Sequence, residues 1–188
     1  MRTRILQVKT LIGEGHDTVD KTITFDFRRN GSLNGIFMVE NINEWFELDN
    51  ACVGCNDTVT VKGWIYKNVA YKEVTDENYD TDENGNPVVW GPINHMTTRI
   101  AVQACIAIEQ EDGCRGHKHL HLCPEDNVEV KAEVSSCSDQ LIGTDTIDIP
   151  DVYPPFRNYD KLEEVVCVNI KVRVYRYEEV EVPFEHEC

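Results

Sequence analysis

An all-β domain, an antiparallel β-sandwich or barrel-like fold, is what this sequence predicts, and three observations carry it. Apolar and β-branched residues alternate along nearly every patterned segment, no segment offers an apolar 3.6-residue stripe of helical length, and Gly, Asn, Asp and Pro separate the segments. The chain has 188 residues, of which 41% are hydrophobic. That is enough for one core, so residues 1–188 are read as a single domain.

In chain order the expected strands are "ILQVKTLI", "TVDKTITFDF", "GIFMVENINEWFEL", "TVTVKGWIYKNVAYKEV", "TRIAVQACIAIE", "NVEVKAEV" and "VVCVNIKVRVYRYEEVEV". In the last, Val166, Val168, Ile170, Val172 and Val174 share one face, with Cys167, Asn169, Lys171, Arg173 and Tyr175 on the other. One face meets the core and the other meets water. The preceding "YDKLEEVVCV" has room for a helical turn at its start. Two polar runs, at 75–92 and at 138–158 with Pro150, Pro154 and Pro155, read as long loops because strand patterns resume on either side.

The 18 Lys and Arg stand against 34 Asp and Glu, for a net charge of −16, spread along the whole chain. Such a surface repels phosphate backbones and anionic lipid, so neither nucleic acid nor membrane is expected as a partner. The opening "MRTRILQVKTLIGEG" holds only a short apolar segment broken by Gln7 and Lys9, which predicts neither a signal peptide nor a membrane helix. Synthesis in a cytoplasm follows as the expectation. Eight cysteines, at 52, 55, 105, 114, 123, 137, 167 and 188, instead suit an oxidising compartment or thiolate metal sites. A protein made inside and matured outside reconciles the two.

Three stretches, "LIGEGHDTVDKTITF", "VTVKGWIYKNVAYKEV" and "EEVVCVNIKVRVYRYEEVEV", together resemble the SPOCS domain family of bacterial sporulation proteins. The shared pattern is a "GEG" before a strand, a strand of the form V-x-G-x-I-x-x-x-V-x-Y, and a long closing strand. The chain departs from it in the acidic insert at 76–87 and in a Cys/His-rich segment, and it carries no separate peptidoglycan-binding module. The resemblance implies a structural subunit of the spore surface, a coat layer or an appendage filament, that assembles with copies of itself and with other spore-surface proteins. It also implies synthesis without a signal peptide in the mother-cell cytoplasm and later oxidation on the spore surface.

The Cys/His segment is "GCRGHKHLHLCPED", residues 113–126. In an extended chain His117, His119 and His121 lie on one face, neighbours about 6.6 Å apart at a rise of about 3.3 Å per residue. Two of them can converge on one ion, but not all three without a bend. Gly113, His119, His121 and Glu125 also resemble the first metal motif of the cupins, G-x5-H-x-H-x3-E. Ala132 replaces that motif's final glycine, and the only later histidine is His186. The favoured reading is a disulfide-tied strand, in which Cys114 and Cys123 close a small loop and the histidines face solvent. A cupin-like metal-dependent enzyme is the alternative, and a zinc- or calcium-binding module a second one.

In "DTDENGNPV", Asp80, Asp82, Asn84 and Gly85 have calcium-loop spacing, but position 12 of such a loop falls on Gly91, where a bidentate acid belongs. Turn chemistry in an acidic loop accounts for the same residues. "CVGC", Cys52 and Cys55, has no second C-x-x-C and no βαβ context, so disulfide partnership is expected of it. No nucleophile elbow and no phosphate-binding glycine loop occurs, and no catalytic residue and no bound cofactor is expected. Extensions at about 1–10 and 178–188 are expected to serve assembly, with Cys188 as the cysteine that bonds a neighbour.

Overall fold

The computed structural model describes residues 2–27, 36–73, 78–110, 120–143, 146–147, 156–157 and 159–184. Its long strands are β1 (Arg2–Asp26), β2 (Ile36–Val53), β3 (Thr58–Glu73), β6 (Asn94–Ala107), β7 (Asn127–Ile142) and β10 (Lys161–Phe184). Short strands β4 (Tyr79–Thr81) and β5 (Pro87–Val89) form one hairpin, β8 (Thr146–Ile147) and β9 (Phe156–Arg157) another pair. The described residues contain no helix, and Lys161 opens directly as strand.

Two antiparallel sheets of three strands, ordered β1-β10-β7 and β2-β3-β6, face each other as a sandwich. The central strands set the core because only they are flanked on both sides. On β10, Val166, Val168, Ile170, Val172 and Val174 are buried, and on β3 Val59, Val61, Ile65 and Val69 meet them. Two backbone seams join the sheets at opposite ends. Glu14 bridges to Glu109, while Ile36 and Tyr159 exchange bonds of 2.9 Å each.

Three expectations are corrected. "ILQVKTLI" and "TVDKTITFDF" are one strand, because a bulge between Leu11 and Gly13 lets the chain change face without leaving its partner β10. The 75–92 run holds the β4–β5 hairpin, turned at Gly85 with φ +79°. The 138–158 run is not a loop throughout: Ser138–Ile142 continues β7 against Lys161–Val165. Ser138, Asp139 and Gln140 are exposed on an edge strand, so the stretch lacks the apolar alternation that marks a strand in sequence. The extensions expected at about 1–10 and 178–188 pair with each other as far as they are described, Arg2–Leu11 against Tyr175–Phe184.

Candidate assembly interface

β7 begins at Asn127, opposite Tyr175, and the β1–β6 seam lies at Glu14, so beyond those points β1 and β10 continue alone. The result is a two-stranded arm leaving one end of the sandwich. From Arg176 to Phe184 it extends about 26 Å at strand rise. Both of its edges carry backbone groups with no strand beside them among the described residues.

Side-chain alternation gives the arm two faces. Beyond Val174 the core-facing series of β10 runs on as Arg176, Glu178, Val180 and Val182, opposite Thr10, Val8, Leu6 and Arg4. Leu6, Val8, Val180 and Val182 are 37–46% exposed, because the second sheet has ended and no strand among the described residues covers them. The interior face of the sandwich thus continues into solvent. On the opposite face Ile5 and Tyr177 are exposed, and the Lys9 ammonium lies 3.8 Å from the centre of the Tyr175 ring while pairing with Glu129.

Arg176 fixes the base of the arm. Its guanidinium grips Asp126 with bonds of 2.7 and 2.8 Å, donates to the His121 carbonyl at 3.0 Å and approaches the Cys123 sulfur at 3.3 Å. The Cys123 amide donates to the same Asp126 carboxylate at 2.8 Å. These donors, Arg176 first, hold the buried Asp126 carboxyl below the usual aspartate range, and Asp126 raises Arg176 in turn. A bidentate charged pair is among the stronger polar contacts available, so the segment around Cys123 acts as a strut under the arm.

The metal reading finds little to build on. His117, His119 and Cys114 lie outside the described residues. His121 and Glu125 are exposed, and Leu120–Cys123 is irregular chain rather than the expected strand. Asp57 explains that conformation, its carboxylate accepting the Leu122 amide at 3.1 Å. Cys123 carries a free thiol, and the Cys114 expected to close a loop with it lies outside the described residues. Asp82 uses its carboxylate on the turn: Asn84 and Asn86 amides and the Asn86 side chain donate to it at 2.8–2.9 Å, holding its pKa down. Asp80 lies on β4 and Asn84 in the turn. No group of three or more His, Cys, Asp or Glu side chains converges for a metal among the described residues.

The cysteines divide by position. Cys137 sits in a bulge of β7, where the register skips from Ser138 to Ser136, and bonds Cys167 on β10 across a Cα separation of 6.1 Å. This cover explains why Cys167, on the wet face by alternation, is buried. Cys52, Cys55 and Cys105 are free and exposed within the subunit. Cys52 and Cys105 lie opposite Thr60 on its two sides, hence about 9.6 Å apart at strand spacing. A disulfide spans no more than about 7 Å between Cα atoms, so these two cannot bond each other without backbone movement. Cys188 lies outside the described residues.

No family model, no curated protein and no solved structure matches the chain.

Proposed function

We propose that the protein is a structural subunit that assembles with copies of itself through the β1–β10 arm, with disulfides between subunits added afterwards. The carrying observation is the arm: a two-stranded ribbon with two open edges and an exposed apolar patch of Leu6, Val8, Val180 and Val182. Such a ribbon is marginal in water alone and gains main-chain bonds and apolar cover when a further strand or sheet face completes it. An arm that docks on a different surface of the next copy propagates an open filament or layer unless rotation closes a ring.

The free, exposed thiols support the covalent part of the reading, since Cys52 and Cys105 are held apart within one subunit. The resemblance to spore-coat and spore-appendage proteins supplies the location, the spore surface, and the other proteins there as further partners. Electron microscopy of purified protein is the test. Regular filaments or layers, running as a ladder on non-reducing denaturing gels and as a band near 21.6 kDa after reduction, are expected. A monodisperse monomer at high concentration, with no ladder under oxidising conditions, overturns the proposal.

A further inference from the structure

At the end of the sandwich away from the arm, three ionisable side chains meet inside the core. Lys67 of β3 is fully buried, Glu164 of β10 is fully buried, and Glu44 of β2 has a side chain 10% exposed. The Lys67 ammonium contacts the Glu164 carboxylate directly and bonds Glu44 at 3.1 Å. Among the described residues, neither Glu164 oxygen takes a hydrogen bond from any other group. Along their strands Lys67 lies between Ile65 and Val69, Glu164 between Leu162 and Val166, all buried, and the Phe25 ring centre is 5.8 Å from the ammonium.

As an ion cluster this arrangement is expensive. Each buried ion has given up its hydration, and one cation faces two carboxylates. Burial accordingly pushes the Lys67 ammonium below the ordinary lysine range, which favours the amine, while the Glu44 carboxylate pulls the other way. A buried amine against a carboxyl, with a second carboxyl in reach of the nitrogen, is also the set of groups that forms an amide.

We infer that Lys67 and Glu164 join as an intramolecular isopeptide bond, formed by the chain itself after folding, with Glu44 as the proton carrier. In the step, Glu44 takes a proton from the Lys67 ammonium and passes it to the Glu164 carboxylate. The Nζ lone pair then attacks Cδ of Glu164. Glu44 moves a second proton from nitrogen to one of the Glu164 oxygens, the Cδ–O bond breaks, and water leaves. The ammonium and carboxylate become one neutral amide and one water, with Glu44 ending as it began and no oxidant or reductant required. Fixed proximity supplies the drive: oriented intramolecular reactions reach effective concentrations of about 10⁵–10⁸ M, and the product removes two charges from the core. The bond would tie the two sheets together through their central strands.

Intact mass of the fully reduced, denatured protein tests this directly. The wild type is expected one water lighter than its sequence mass, with a branched peptide joining the segments that contain Lys67 and Glu164. Glu44→Gln and Lys67→Met are expected at full sequence mass, without that peptide. A wild type at full sequence mass, a water loss mapped to another position, or a Glu44→Gln variant cross-linked as completely as the wild type overturns the inference. The wild-type measurement stands even where a variant fails to fold.

Discussion

Glu14 and Glu109 exchange two backbone hydrogen bonds, 3.0 Å from the Glu14 amide and 2.8 Å from the Glu109 amide, and so sew β1 to the segment just past β6. The glycines on either side permit the approach. A Cβ on Gly15 would stand 2.3 Å from the Ala107 carbonyl oxygen and 2.8 Å from the Ile106 side chain; one on Gly13 would stand 2.5 Å from the Glu109 oxygen. Gly15→Ala is therefore expected to part the seam at a cost of about 2 kcal/mol. Thermal unfolding should show a midpoint roughly 4–8 °C lower. An unchanged midpoint would mean that the seam opens freely.

Asp126 gives the base of the arm a pH dependence. Its folded-state pKa is depressed by Arg176, so its contribution is complete above the unfolded value of about 3.9 and is lost as pH falls through the lower folded value. Asp126→Asn should cost about 2 kcal/mol at pH 7. Against the wild type in denaturant titrations, the gap should stay level down to about pH 4 and close below it. A gap that persists in stronger acid contradicts the assignment.

Leu6 and Val180 are opposite each other on the uncovered face of the arm. The double variant Leu6→Asp, Val180→Asp should leave subunit stability within about 0.5 kcal/mol, as exposed substitutions usually do, while abolishing assembly. Light scattering and micrographs read assembly, and circular dichroism reads the fold. A variant that stays folded and assembles like the wild type removes the arm from the interface.

Cys137 and Cys167 close a loop with a sequence separation of 30. Chain-entropy reasoning assigns that closure about 3–4 kcal/mol. Cys167→Ala should lower the denaturation midpoint accordingly, and Cys137→Ala should lower it equally, with the double variant no worse than either. Additive losses would show that the two side chains act separately.

Alternation makes the sheets legible in the sequence: the valine and isoleucine ladder of β10 is buried where its period of two puts it. The same alternation carries a second signal. Lys67 and Glu164 occupy inward positions of that period, and a charge at a core position is the mark of a buried polar group with a partner. The Cys/His segment drew attention by composition, yet its described part serves through Asp126, Cys123 and the His121 carbonyl, whose roles depend on Arg176 about fifty residues later, a distance no local pattern spans. "GEG" could be read as a pattern but not as a cause, because the atoms that demand its glycines belong to another strand.

Arg2 faces Phe184 at the outer tip of the arm, and this arrangement determines how the subunit bears mechanical load. A force drawing those two residues apart loads the rungs between β1 and β10 one after another, since the bonds lie across the strands, and the ribbon peels with little resistance. Tension directed along β10 instead loads the rungs to β1 and β7 together in shear, and at Cys167 it reaches a covalent stop on β7. The subunit is thus stiff to axial pulling and weak to splaying, the mechanical asymmetry of a strap.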